Sequence, residues 1–135
     1  MKTVSFFAVI LFVFTACSQS SSNETKVPHN SEVKDQTQTI QRVSNADFKD
    51  YMANNKDYIL VDIRTPKEFD EGTISGAINI NSSSRSFKEE LNKLDKSRPV
   101  LMFCQSGGRS GRALPVFKSL GFEFVLELQG GYGGY

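Results

Sequence analysis

Short apolar runs separated by helix-periodic stretches constrain this chain more than any other feature. Tyr58–Ile63 (YILVDI) and Val100–Phe103 (VLMF) are too short for helices and too continuous to leave one face wet. Such runs predict strands buried on both sides. Phe124–Leu128 (FVLEL) reads as a third strand, and Ile40–Val43 and Ala77–Ile80 as two shorter ones. Between them, apolar residues recur at helical spacing. Phe48, Tyr51 and Met52 mark Ala46–Asn54, with Ser44 as its N-cap. Phe87, Leu91 and Leu94 mark Phe87–Leu94. Ala113, Leu114, Phe117 and Leu120 mark Arg109–Leu120, which Gly121 stops. Pro66 opens a short helix to Glu71, broken by Gly72. Strand and helix alternate throughout, which predicts an α/β fold: a mostly parallel sheet with helices on both faces. Pro115 falls inside the last helix, and there it either bends the helix near its start or moves that start later.

The first 39 residues do not share this pattern. Lys2 precedes an apolar stretch, Val4–Phe14, far short of the roughly 20 residues of a membrane span. It reads as a signal-peptide core. Phe14-Thr15-Ala16-Cys17 follows and resembles a bacterial lipobox, in which the cysteine becomes a diacylglycerylated N-terminus. On that reading residues 1–16 are a signal peptide. Residues 17–39 tether lipidated Cys17 to a domain spanning 40–135. Each buried methylene of the acyl chains contributes about 0.8 kcal/mol to anchoring. The expected location is a bacterial membrane surface facing the periplasm or the cell exterior. Ser18–Thr39 is polar and aperiodic, as a disordered tether would be. It contains His29, the only histidine, so the domain has none to serve as general base. A formal net charge of +1 gives no reason to expect a nucleic-acid partner.

Lipidation of Cys17 would leave Cys104 as a single unpaired thiol in an exported protein, a candidate reactive group. Cys104 follows the VLMF strand at its carboxyl end, where open parallel sheets bind ligands. The next residues, Gln105, Ser106, Gly107, Gly108 and Arg109, turn the chain into a helix. Glycines let the backbone N–H groups point inward as an anion-binding nest. The helix N-terminus and Arg109 add positive charge, and all of these favour a thiolate. Four residues separate Cys104 from Arg109. Cysteine phosphatases place one more there, making a ring wide enough for a phosphate ester. The smaller loop suits a smaller group, such as one extra sulfur on Cys104.

Three segments together resemble the rhodanese (thiosulfate sulfurtransferase) family. They are Val61-Asp62-Ile63-Arg64 with Glu68-Phe69, Gly72, Ile74 and Gly76-Ala77; the CxxGxRS loop Cys104–Ser110; and Leu128-Gln129-Gly130-Gly131. The resemblance runs from about Val43 onward. It implies a rhodanese-like five-stranded parallel sheet flanked by helices, and a ping-pong sulfur transfer. Cys104 thiolate would take sulfane sulfur from a small anionic donor such as thiosulfate. The persulfide would pass it to cyanide or a thiol. The loop amides of Gln105 to Arg109 would hold the persulfide, and Asp62 and Arg64 would brace the loop. No cofactor or metal is implied. Arg112 reads equally as a surface charge or a substrate contact. Thr73 and Ser75 replace the family's usual His and Pro, with effects expected on local packing only. After LxGG the family pattern carries a helix with a tryptophan. Here the sequence stops at Gly133-Gly134-Tyr135, so Tyr135 is expected in the tryptophan's place and one side of the sheet is expected to be thinly covered. Two other readings stand beside the transferase. One is a non-catalytic module for sulfur carriage or protein docking, and the other a phosphatase or arsenate reductase on the same fold.

Overall fold

A computed structural model describes residues 38–135. The expectations for residues 1–16, Cys17, His29 and the tether as far as residue 37 fall outside the described residues; Thr39, read from the sequence as the end of the tether, is the first residue of the first strand, where it pairs with Phe124. The sheet holds five strands, all parallel. They are β1 (Thr39–Val43), β2 (Ile59–Asp62), β3 (Ile78–Asn79), β4 (Val100–Phe103) and β5 (Phe124–Leu128), in the spatial order β1-β5-β4-β2-β3. The helices are α1 (Asn45–Asn54), α2 (Pro66–Asp70), α3 (Phe87–Asn92) and α4 (Gly108–Ser119), with a 3-10 turn at Tyr132–Gly134.

Period-two alternation sorts the strand side chains into two cores. On one face Val61, Ile63, Val100, Met102, Cys104 and Val125 pack against Phe87 and Leu91 of α3 and Ala113 and Phe117 of α4. On the other, Leu60, Leu101, Phe103, Leu126 and Leu128 pack with Phe48, Tyr51 and Met52 of α1. Phe48, Phe103, Phe117 and Phe122 are fully buried. Each such side chain contributes about 1.5–3 kcal/mol relative to exposure.

Local chemistry sets the ends of the helices. The Ser44 hydroxyl accepts from the Asp47 N–H, which starts α1 one residue before the predicted Ala46. Thr65 and Glu68 form a capping box on α2, with Pro66 at its first position. The start of α4 corrects the expectation drawn from Pro115. The helix begins at Gly108, one residue earlier than predicted, and runs through Pro115 to Ser119. Gly107, at φ +82°, turns the chain sharply enough for the helix to start at once. The proline sacrifices one i→i−4 hydrogen bond.

The C-terminal segment also departs from expectation. Tyr132, not Tyr135, is the aromatic packed into the structure: its ring stacks on Phe103 at 6.3 Å between centroids. Tyr135 is 39% exposed and lies beside the Lys49 ammonium.

Candidate active site

Cys104 directly follows β4 and is 1% exposed. Its carbonyl accepts from the Tyr132 N–H at 2.7 Å, and the Gln105 carbonyl accepts from the Gly133 N–H at 2.9 Å. In a trans peptide the C=O and the following N–H point in opposite directions. Drawing these two carbonyls toward the C-terminal segment therefore turns the Gln105 and Ser106 N–H groups to the other side, into the loop. The Gly130–Gly131 turn makes this possible, with both residues at positive φ. A Cβ on Gly131 would lie 2.3 Å from the Cys104 carbonyl oxygen and 2.7 Å from the Ser106 nitrogen.

The loop's second support is a buried ion pair. Arg64 and Asp62 have side chains 3% and 0% exposed, with Nη2 to Oδ2 at 2.7 Å. The remaining guanidinium hydrogens reach Gln105 Oε1 at 3.0 Å and the Gly72 carbonyl at 2.5 Å. The Arg64 guanidinium also sits 4.3 Å from the Tyr132 ring centroid. Thr73, one of the two departures from the family pattern, donates its hydroxyl to Asp62 at 2.9 Å. It completes the polar cluster rather than merely filling space. Ser75 is exposed.

Arg109 stands on the other side of the loop. It is gripped in bidentate fashion by Glu68 of α2, at 2.8 and 2.5 Å. The Arg109 hydrogen bonds, with smaller help from Thr65, hold the Glu68 carboxyl well below the usual carboxylate range. Glu68 in turn raises the Arg109 pKa, and the charge on the nearby Cys104 sulfur adds to this.

Burial pushes the Cys104 thiol up, but the hydroxyl and N–H of Ser110 and the N–H groups of Ser106 and Gly107 outweigh it. The net shift is downward. Ser110 lies in the first turn of α4, with Oγ 3.3 Å and N 3.4 Å from Sγ. The same hydroxyl meets Glu127 Oε1 at 2.5 Å. Glu127 is 0% exposed and pairs with Arg42 of β1.

Beside the loop is an open cleft of about 260 Å³, lined by Ser82, Ser83, Phe87, Arg109, Arg112, Ala113 and Val116. Arg112 faces it and is ion-paired with no carboxylate among the described residues. The fold thus gathers Cys104, Gln105, Ser106, Gly107, Gly108, Arg109, Asp62 and Arg64 around one strand end. Asp62 and Arg64 support the loop from the α1 side, while Cys104 faces α3 and α4. Glu68, Ser110, Glu127, Arg42 and Tyr132 also touch this assembly and were not singled out as site residues from the sequence. An acid in the otherwise apolar run FVLEL was the available signal for Glu127.

The family model for the rhodanese-like domain matches residues 44–135. A tRNA uridine(34) hydroxylase of Pelagibacter ubique is 36% identical over 85 residues, covering 62% of this chain and 28% of that protein. A sulfurtransferase of Allochromatium vinosum is 30% identical over 92 residues, covering 68% and 84%. Among solved structures, a rhodanese-related protein from Thermoplasma volcanium superposes with a TM-score of 0.60 at 26% identity, covering 69% of this chain and 87% of that one. The chain therefore spans little more than a quarter of the hydroxylase but most of the sulfurtransferase.

Proposed function

The chain belongs to the rhodanese-like domain family, and from that footing we propose that it is a sulfurtransferase working through a Cys104 persulfide. The observation that carries this reading is the thiol itself, surrounded by hydrogen-bond donors that lower its pKa. A thiolate formed there attacks the sulfane sulfur of a small anionic donor such as thiosulfate. The new S–S bond forms as the donor's S–S bond breaks, and sulfite leaves with the electron pair. The terminal sulfur then carries the negative charge, which the inward N–H groups of the loop can hold in place. A thiophilic acceptor, cyanide in an assay or a thiol, removes that sulfur and returns the thiolate.

The cleft is the donor's route in this proposal. Glu68 already occupies Arg109, so Arg112 is the cation left to meet an incoming anion. Arg112→Ala should raise KM for thiosulfate about fivefold, equivalent to about 1 kcal/mol at an exposed charge. It should leave kcat unchanged, since the interaction is made before chemistry begins. Steady-state sulfite release with cyanide as acceptor tests both statements. Turnover of an aryl phosphate in place of thiosulfate would turn the reading toward a phosphatase.

A second reading draws on the burial of Cys104. A persulfide this enclosed could be carried or docked rather than turned over. That reading expects stoichiometric sulfur uptake with negligible release of thiocyanate. For the N-terminal residues we keep the expectation of a lipid anchor on Cys17, facing the periplasm or the cell exterior. Globomycin-sensitive processing, followed by mass analysis of the N-terminal peptide, would test it.

A further inference from the structure

Glu127 has no part in the reaction above, yet it is fully buried and shares one hydroxyl group with Cys104. Sheet register places it there. Met102 of β4 is level with Glu127 of β5, and Glu127 is level with Arg42 of β1. All three belong to one row across the sheet, on the face from which Cys104 projects two residues later. The Ser110 hydroxyl has one hydrogen and two acceptors in reach, Glu127 Oε1 at 2.5 Å and Cys104 Sγ at 3.3 Å. It can serve only one of them fully. A carboxylate across a single hydroxyl from the sulfur also opposes negative charge on that sulfur.

Arg42 offsets this. Its Nε lies 2.5 Å from Glu127 Oε2, and its Nη2 donates to the Gly107 carbonyl at 2.7 Å. The guanidinium lies across α4 where residue 111 is glycine: a Cβ there would stand 1.9 Å from Nη2. Glycine at that position keeps the path of the arginine open.

We propose that Arg42 and Glu127 are positioning residues for Cys104: their ion pair, acting through Ser110, sets how readily the sulfur carries negative charge. The other charged or polar groups around the sulfur are the N–H groups of Ser106 and Gly107, Arg109 of α4, and Glu68 of α2 through Arg109. Asp62 and Arg64 pair with one another on the opposite side of the sheet. The proposal deepens the sulfur-transfer reading, but its test needs only a reactive thiol and no turnover.

The experiment follows the rate of iodoacetamide alkylation of Cys104 against pH, in chains with Cys17→Ser so that one thiol reports. Glu127→Gln removes the opposing charge and keeps the shape. It should move the alkylation midpoint down by about one unit. Arg42→Gln leaves Glu127 uncompensated and should move the midpoint up by about as much. Gly111→Ala displaces the guanidinium and should reproduce the Arg42→Gln shift. In the Glu127→Gln background, Arg42→Gln should have little further effect. Shifts in one common direction for both partners would mean a purely structural pair and would overturn the proposal. So would an unmoved midpoint in folded Arg42→Gln protein, in which the replaced side chain is itself 44% exposed.

Discussion

Arg64→Ala should destabilise the domain by about 3–5 kcal/mol, the cost of leaving one member of a buried ion pair without its partner. Asp62 is 0% exposed, and three of the four hydrogen bonds it accepts from Arg64 come from the guanidinium, so little else could neutralise it. The same change frees the Gln105 side chain, the Gly72 carbonyl and one face of Tyr132. Domains of this size are stable by only about 5–15 kcal/mol, so the urea midpoint should fall steeply. Arg64→Ala with Asp62→Ala should be less damaging than Arg64→Ala alone, because no charge is then stranded. A loss below about 1 kcal/mol for the single variant would place the pair in the class of surface ion pairs and contradict its role as a brace.

Gly131→Ala should have the larger effect on chemistry. Residue 131 sits at φ +63°, ψ −161°, where a side chain costs about 1–3 kcal/mol in backbone strain alone. The added methyl would also overlap the backbone of Cys104, Gln105 and Ser106. Either the loop or the C-terminal turn must move, and the two hydrogen bonds that aim the loop's N–H groups inward go with it. A displacement of about 1 Å near reacting atoms costs about a hundredfold in rate. The expected result is a fall of that order in sulfite release, with a folded far-ultraviolet spectrum. Gly134→Ala, whose Cβ meets nothing within 4 Å, serves as the control and should leave the rate near normal.

These two sites show which parts of the molecule the sequence discloses. The strand runs and the Cys104 loop are local: a few adjacent residues determine both conformation and chemistry. VLMF could hardly be anything but a buried strand, and its bounds in the structure match the expectation, Val100–Phe103. The starts of α1 and α4 lie one residue earlier than the periodic pattern indicates, because a capping hydroxyl at Ser44 and a positive-φ glycine at Gly107 decide them. Glu127 is different. That it shares a face with Cys104 depends on the Met102–Glu127 register, and its partner Arg42 lies 85 residues earlier in the chain. No local pattern contains that pairing. Tyr132 was overlooked for a related reason. Tyr135 stands nearer the position expected for an aromatic, but the Gly130–Gly131 turn folds the chain back so that Tyr132 reaches Phe103 and Arg64 first. The pairing of Glu68 with Arg109 also spans 41 residues, although Glu68 was visible as part of a family-like segment.

The most direct test is the intact mass of the full chain after incubation with thiosulfate, beside its Cys104→Ser counterpart. A gain of one sulfur atom, removed by cyanide and absent from the serine variant, is the result expected of a persulfide carried on Cys104. A folded protein that gains no sulfur, or a serine variant that gains it equally, would contradict the claim that this thiol carries sulfur at all.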